Sequence, residues 1–175
     1  MTAAFDQHAW ERHLRLPDGR AVDIRPIRPE DGQLYAPFMA RETAEDLRFR
    51  FFGPVKQLSR AAIARFTNLD YAKAMAFIAL DAATGEMLGV ARLHDRRDGR
   101  SGEYAIVVRS DLKGRGLGWE LMQLLIAYAR DKGLRAIEGQ VLHENTTMLK
   151  MCKQLGFEIT GVPGAASVAA VKLEL

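Results

Sequence analysis

Hydrophobic and polar residues alternate on both sides of a turn near the start of the chain. The turn is Pro17-Asp18-Gly19, a composition typical of tight turns, and the alternating segments are residues 13–16 and 21–27. Pro26 and Pro29 end the second segment, because proline cannot donate a hydrogen bond to a neighbouring strand. The pattern predicts a β-hairpin.

A helical period replaces this alternation in the next part of the chain. Residues 30–41 have the apolar spacing of an amphipathic helix. The sequence Thr-Ala-Glu-Asp at residues 43–46 is typical of a capping box and predicts a second helix that ends at Phe51. Gly53-Pro54 breaks that helix, and a third helix is predicted at residues 59–66, with Ser59 as its N-cap.

Three strands are predicted next, at residues 74–80, 87–93 and 103–109, joined by turn-rich links of hairpin length. Apolar residues then recur with the 3.6-residue period of a helix over residues 116–132, and Gly133 ends this helix.

The end of the chain adds strands around one more helix. The patterns predict a strand at 134–142, a helix at 145–155 and strands at 157–160 and 168–175. A strand meander followed by strand–helix–strand units requires a parallel crossover near the middle of the sheet. We therefore expect one α/β (α+β) domain over residues 1–175, in which helices flank a mixed central sheet of about six to seven strands.

Composition and charge narrow the functional classes. The 175 residues suit one domain with a hydrophobic core, and 48% hydrophobic with 27% charged residues is usual for a globular protein. The net charge is +3, but the basic residues are scattered, which argues against a nucleic-acid partner. The single cysteine, Cys152, excludes an internal disulfide, and no stretch is apolar enough for a secretory signal or a membrane span. We expect a cytoplasmic protein that does not bind membranes.

The segment between the third predicted meander strand and the long helix carries the clearest chemical signal. Glycines let the backbone approach a ligand, and the start of a helix offers unpaired N–H groups, so this segment predicts a site for a phosphate or diphosphate. A tight turn without a ligand is the alternative. The glycine register fits neither a P-loop nor a dinucleotide fingerprint. The residues are Lys113, Gly114, Arg115, Gly116, Leu117 and Gly118.

Strand 103–109, this glycine-rich segment and the following helix resemble the acyl-CoA motif of the GNAT superfamily of N-acetyltransferases. That motif is Gln or Arg, two residues, Gly, one residue, Gly or Ala; Lys113 takes the first position here, while Gly116 and Gly118 match. The chain also resembles a second GNAT signature: Asn145 is followed by a helix that ends Leu-Gly-Phe at residues 155–157. The resemblance implies the GNAT fold, acetyl-CoA as cosubstrate and an amine as acceptor, with no metal.

A finer resemblance is to the acetyltransferase domain of bacterial Pat-type protein lysine acetyltransferases. It rests on the stretches at residues 24–31, 47–54 and 107–118. It implies an exposed lysine of a protein as the acceptor, with acyl-CoA synthetases as the suspected substrates. Many members carry an additional domain similar to an acyl-CoA synthetase, so the resemblance leaves open whether this chain is a stand-alone member or one domain of a longer protein.

The resemblance also implies where the cofactor lies. The diphosphate of acetyl-CoA would contact the N–H groups of residues 113–118, and the pantetheine would pair with the strand at Ile106, Val107 and Val108. An N–H near Val108 would polarise the thioester carbonyl. Asn145 would contact the cofactor from the other side, and its position equally suits a helix N-cap.

Two catalytic candidates follow from the same resemblance. Glu103 matches the glutamate base of Pat-type enzymes, although its residue type alone suggests a surface glutamate; alternation puts it beside Ala105 and Val107, where apolar neighbours would raise its pKa. Cys152 stands where many GNAT enzymes have a tyrosine acid, and it either donates a proton or simply packs a helix face. His94 has no identifiable partner in the sequence.

The aromatic residues at positions 49, 51 and 52 are interpreted as helix packing, and Arg48 and Arg50 as shaping the acceptor entrance. Three functions stay open: a protein lysine acetyltransferase, an enzyme that acetylates a small amine such as a polyamine or an antibiotic, and a non-catalytic acyl-CoA sensor.

Overall fold

The computed structural model of the protein describes residues 5–175. Eight strands form one sheet in the order β1-β2-β3-β4-β5-β6-β8-β7, so the first and last hairpins of the chain supply the two edges. The strands are β1 (Arg12–Arg15), β2 (Ala21–Pro26), β3 (Ala74–Asp81), β4 (Met87–Asp95), β5 (Ser101–Val108), β6 (Ala136–Leu142), β7 (Glu158–Val162) and β8 (Ala165–Glu174).

Five α-helices cover the two faces of this sheet, and the described part of the chain has no helix long and apolar enough to cross a membrane. The helices are α1 (Tyr35–Ala40), α2 (Ala44–Phe51), α3 (Arg60–Thr67), α4 (Leu117–Lys132) and α5 (Thr146–Gln154). The long helix α4 buries Leu121 and Leu125 against one face, and Phe38 of α1 packs with Ile78 and Val90 on the other.

The predicted parallel crossover is present. β5 and β6 run parallel and are joined through α4, whereas all other neighbouring strands are antiparallel. The parallel pairing covers only three residues of β5, from Ser101 to Glu103. Beyond Glu103 the two strands separate, which leaves an opening in the middle of the sheet.

The structure corrects one sequence prediction near the start of the chain. The helix expected at residues 30–41 is a 3₁₀ helix, Pro29–Leu34, followed by the short α1. Pro37 lies in the first turn of α1, and because its ring and missing N–H are tolerated only there, the α-helix cannot extend further towards the N-terminus. The eight-stranded sheet confirms the expected mixed sheet, and the hairpins at both of its edges join it.

The capping box expected at Thr43 is only half formed. The Thr43 hydroxyl accepts from the N–H of Asp46 at 3.1 Å, as in a capping box. The reciprocal bond is missing, because the Thr43 N–H donates instead to Oγ of Ser110 at 2.9 Å and the Asp46 carboxylate contacts Lys113. Contacts with Ser110 and Lys113, which are distant in sequence, therefore replace the reciprocal hydrogen bond of the capping box.

Gly139 of β6 allows the ring of Tyr104 to lie against the backbone, and this close approach generates a prediction. A Cβ at Gly139 would lie 2.9 Å from Cδ1 of Tyr104 and closer still to Cε1. We expect Gly139→Ala to lower the free energy of unfolding by about 1–3 kcal/mol, measured by urea denaturation, because the buried ring has to shift.

The control for this change is Gly161→Ala on the edge strand β7, where a Cβ meets no atom within 4 Å. It should leave the free energy of unfolding within about 1 kcal/mol of the original. Equal destabilisation by both changes would mean that strand flexibility, and not the Tyr104 contact, explains the loss.

Candidate active site

A cavity of about 160 Å³ opens where β5 and β6 separate. The two strands form its walls, α2 lies over it, and the start of α5 and the glycine-rich segment close its ends. The lining residues are Asp46, Phe49, Arg50, Phe52, Tyr104, Ala105, Ile106, Val107, Val108, Leu112, Lys113, Gly114, Gly118, Gln140, Val141, Asn145, Thr147, Met148 and Met151.

The wall formed by β5 has backbone groups free to bind a ligand. In an antiparallel pair, alternate residues direct their N–H and C=O groups towards the partner strand. The Arg109 N–H donates to Leu88 C=O at 2.8 Å, which fixes this alternation between β5 and β4. The N–H and C=O groups of Ile106 and Val108, together with the C=O of Tyr104, therefore point away from β4, to the side where β6 has separated. An extended ligand can pair with them as an added strand does.

At the end of the cavity, the glycine-rich segment exposes the first N–H groups of α4. Gly114 and Gly116 have φ angles of 75° and 91°, a left-handed conformation that favours glycine. No side chain caps α4, and its first helical bond runs from the Glu120 N–H to Gly116 C=O at 3.1 Å. The preceding N–H groups of the first turn have no helical acceptor, so this end of the helix favours an anion.

The two cations of this segment already have carboxylate partners. The ammonium of Lys113 contacts Asp46 and lies 5.7 Å from the Phe49 ring centre. The guanidinium of Arg115 lies 2.8 Å from the carboxylate of Asp18. In this structure the backbone N–H groups, and not the side-chain charges, are therefore the free donors of the anion site.

Helix α2 spans the mouth of the cavity and is tied to both of its rims. Asp46 contacts Lys113 on the loop after β5, and Arg48 lies 2.7 Å from Glu144 on the loop after β6. Burial would raise the pKa of Asp46, but the hydrogen bonds from Lys113, Ser110 and Thr43 outweigh it and lower that pKa. The Asp46 carboxylate is therefore charged at neutral pH and holds α2 over the cavity.

The opening between β5 and β6, with an anion site at one end, agrees with a comparison against known protein families. The acetyltransferase (GNAT) domain model matches residues 22–158, most of the chain. The chain belongs to the GNAT acetyltransferase family. It is an acetyl-CoA-dependent N-acetyltransferase, and the opening between β5 and β6 is the candidate cofactor cleft of this GNAT domain.

Relatives cover the GNAT domain to different extents. An acetyltransferase of Pseudomonas aeruginosa is 35% identical over 157 residues, which are 89% of this chain and 83% of the relative. The acetyltransferase Pat of Mycolicibacterium smegmatis is 29% identical over 146 residues, which are 82% of this chain and 43% of the relative. The chain thus spans less than half of that second, longer protein.

A shorter match and a solved structure complete the comparison. An L-methionine sulfoximine/L-methionine sulfone acetyltransferase of P. aeruginosa is 41% identical over 88 residues, 48% of this chain and 51% of the relative. The crystal structure of the GNAT domain of S. lividans PAT superposes with a TM-score of 0.89 at 26% identity, covering 98% of this chain and 100% of that one. The mixed GNAT fold is therefore shown over nearly the whole chain.

The cofactor residues expected from sequence divide into two groups within this GNAT domain. Of these residues, Arg115, Gly116 and Leu117 do not line the cavity: Arg115 pairs with Asp18, Gly116 sets the turn, and Leu117 is buried in the core. The expected residues that do line it are Ile106, Val107, Val108, Lys113, Gly114, Gly118 and Asn145. Asn145 is the N-cap of α5, because its side chain accepts from the Met148 N–H at 3.2 Å. It also lines the cavity, and its contact with the cofactor stays a prediction.

Glu103 does not lie among apolar side chains as the sequence suggested. Its side chain is 58% exposed, and its carboxylate lies 3.6 Å from the guanidinium of Arg96, which also pairs with Glu138. Its cross-strand neighbour is His94 of β4. Burial and the positive charges of Arg92 and Arg50 lower the pKa of His94. Its imidazole is therefore neutral at pH 7.

Cys152 is placed for packing and not for direct proton transfer to the cavity. Its side chain is fully buried, and its Sγ lies 3.2 Å from Oη of Tyr104, which is the residue that lines the cavity. Burial raises the pKa of the Cys152 thiol and raises that of the Tyr104 phenol well above its usual value. Cys152 is thus separated from the cavity by Tyr104, and the role of Cys152 as an acid stays a prediction.

The phenylalanines of α2 contribute more to the cavity than the sequence suggested. Phe49 and Phe52 line the cavity, although the aromatic cluster was interpreted as helix packing, and Phe52 is 45% exposed in a left-handed conformation. The available signal was the alternation of Arg48 and Arg50 with these aromatic residues, which is unusual for a helix that only packs. Among the described residues, no group of three or more His, Cys, Asp or Glu side chains could hold a metal ion.

The glycine turn gives a testable prediction. We expect Gly116→Ala to weaken coenzyme A binding about 10-fold or more by calorimetry, because a Cβ disfavours the left-handed backbone that aims the N–H groups of α4. Gly85→Ala is the matched control, since Gly85 also has a positive φ of 75° and open space but lies in the β3–β4 turn. It should cost similar stability and leave the affinity unchanged; equal loss of affinity in both variants would contradict the assignment.

Glu42 gives a prediction on pH and stability. Burial raises the pKa of Glu42 from 4.5 to about 7, although a hydrogen bond from Ser110 at 3.0 Å opposes this shift. Since the folded protein then binds a proton more readily than the unfolded chain, this group makes stability fall as pH rises from about 4.5 to about 7.

We therefore compare the free energy of unfolding of Glu42→Gln with that of the unmodified protein at pH 5 and at pH 8. The difference between the two proteins should shift by about 1–2 kcal/mol in favour of Glu42→Gln from pH 5 to pH 8, after a reduction for solvent screening. Urea denaturation at the two pH values measures this difference. The exposed Glu45→Gln variant of α2 is the control. A parallel pH response in all three proteins would rule out Glu42 as the titrating group.

Proposed function

We propose that this N-acetyltransferase transfers the acetyl group of acetyl-CoA to lysine side chains of target proteins, with acyl-CoA synthetases as candidate substrates. The observation that carries the proposal is the likeness to the GNAT domain of S. lividans PAT over 98% of the chain. The sequence resemblance to Pat-type lysine acetyltransferases at residues 24–31, 47–54 and 107–118 supports it.

The free backbone groups of β5 suggest how the thioester is held. The pantetheine would pair with the even-numbered residues of β5, and its diphosphate would contact the N–H groups at the start of α4. Sequence reasoning placed the oxyanion donor near Val108. The N–H of Ile106 is better placed to polarise the thioester carbonyl, because the reacting amine also has to be near the proposed base Glu103. Ile106 is about 10 Å along the strand from Glu103, whereas Val108 is about 16 Å away.

The reaction then needs one proton acceptor. A lysine amine is protonated at neutral pH, so a base must remove a proton before the nitrogen attacks the thioester carbon. In the proposal, Glu103 accepts this proton through a water molecule, because its carboxylate lies outside the cavity lining. The nitrogen–carbon bond forms, the carbon–sulfur bond breaks, and the coenzyme A thiolate takes a proton from solvent.

A specific observation favours a second candidate function, the acetylation of a small-molecule amine. The relative that is 41% identical over 88 residues is named for acetylation of L-methionine sulfoximine and L-methionine sulfone, which are amino-acid derivatives.

One experiment separates these functions and tests Glu103. The purified protein, its Glu103→Gln variant and the control Glu158→Gln, an exposed glutamate of β7, are incubated with labelled acetyl-CoA and a cell lysate. Mass spectrometry then measures label on protein lysines and on small amines. We expect labelled lysines, a rate about 10²–10⁴-fold lower for Glu103→Gln, and an unchanged acetyl-CoA affinity by calorimetry.

The control variant should match the unmodified protein. Label found on small amines and on no protein lysine would replace the protein substrate with the second candidate. Full activity of Glu103→Gln would remove Glu103 from the mechanism. Tight acetyl-CoA binding without transfer to any amine would indicate a sensor.

A further inference from the structure

Arg50 of α2 is a partly buried cation without a counter-ion. Its side chain lines the cavity, and within residues 5–175 its guanidinium makes no hydrogen bond or ion pair; it lies over the Phe51 ring at 4.7 Å. Buried charges are normally paired, because the cost of removing a charge from water is otherwise uncompensated. Arg50 therefore lacks the anionic partner that a partly buried guanidinium normally has.

A second cation lies behind Arg50 and is also without an anionic contact. Arg92 of β4 is 2% exposed, and its Nη2 donates to Tyr35 Oη at 2.6 Å and to Phe66 C=O at 2.7 Å. Both acceptors are neutral. Its Nη1 is buried and, among the described residues, has no hydrogen-bond partner.

The two guanidiniums belong to one site. Arg50 and Arg92 both line a small secondary cavity, which shares Arg50 and Val107 with the main cavity. Burial and the repulsion from Arg92 lower the pKa of Arg50 to about 10. Both side chains stay charged at neutral pH. The part of the cleft that Arg50 and Arg92 line, which we call the acceptor side, therefore carries positive charge without a matching negative charge.

Neither the cofactor diphosphate nor Glu103 accounts for this charge. Arg92 is opposite Ala105 on β5, about 10 Å along the strand from its end at Val108, and the diphosphate site lies beyond that end. Glu103 attracts Arg50 from a distance, but its carboxylate is at the surface beside Arg96. The missing anion therefore has to come with the acceptor.

We propose that Arg50, supported by Arg92, binds a carboxylate that lies next to the amine being acetylated. This inference rests on the proposed amine acetylation and specifies the acceptor: an α-carboxylate of a free amino acid, or an Asp or Glu side chain beside a target lysine. The guanidinium is suited to it, because its planar fork makes two parallel hydrogen bonds to a carboxylate.

The first test measures binding and does not need turnover. Arginine Nε–H resonances of the ¹⁵N-labelled protein, assigned with Arg50→Gln and Arg92→Gln, are followed during titration with sodium acetate, with sodium chloride as the reference. We expect a saturable acetate shift at Arg50 and Arg92, and loss of the Arg92 shift in Arg50→Gln. Shifts that do not saturate, or that chloride reproduces, would overturn the proposal.

The second test compares matched acceptors by release of the coenzyme A thiol. One pair is a blocked peptide with lysine between two aspartates against the same peptide with asparagines; the other is L-methionine sulfone against its carboxamide. We expect the carboxylate member of the reacting pair to have a kcat/KM about 10- to 100-fold higher, mainly through KM. The pair that reacts identifies the source of the carboxylate.

Variants complete this test. Arg50→Gln should lower kcat/KM for the carboxylate acceptor about 10-fold or more beyond its effect on the neutral acceptor. Arg65→Gln, which removes an exposed charge from α3, should keep the preference. Equal losses on both members of a pair in Arg50→Gln would overturn the proposal. Saturable acetate binding without turnover of any acceptor would support the carboxylate site and count against the proposed acetylation.

Discussion

The short parallel pairing between β5 and β6 is the constraint around which the site is built. Three paired residues are enough to hold the two halves of the sheet together, and the separation after Glu103 leaves the N–H and C=O groups on one side of β5 without a strand partner. Unpaired backbone groups inside a protein are costly, so this opening is stable only because it is solvated or filled by a ligand. The cleft, the anion site at the start of α4 and the acceptor side are all arranged around it.

Charge is distributed unequally along this cleft. At the diphosphate end, Lys113 and Arg115 are already paired with carboxylates, so binding relies on backbone donors and the helix terminus. On the acceptor side the arrangement is reversed, because Arg50 and Arg92 have only neutral or aromatic neighbours. An anionic acceptor would thus be attracted to a point on β5 more than about 10 Å along the strand from the proposed diphosphate site. Helix α2 connects the two ends, since Asp46 and Arg50 both lie on it.

One position that is often catalytic in the GNAT superfamily has become part of the core in this chain. Cys152 occupies a position where a tyrosine acid is common in the superfamily, and the core has filled that space with the Tyr104–Cys152 contact of 3.2 Å. Gly139 makes this packing possible by leaving room for the Tyr104 ring. The GNAT fold is retained with this packing.

The order of strands and helices, the parallel crossover and the glycine turn before α4 could all be predicted from the amino-acid sequence. These features depend on local periodicity and on backbone conformations that few residues other than glycine adopt. The three-dimensional arrangement was needed to show that Lys113 pairs with Asp46, that Glu103 faces Arg96 at the surface, that Cys152 lies behind Tyr104 and that α2 covers the cleft. Most of these contacts join residues distant in sequence, and the Glu103–Arg96 contact depends on how the β4–β5 turn folds back on β5. A side chain's neighbours across a fold leave no periodic signal along the chain.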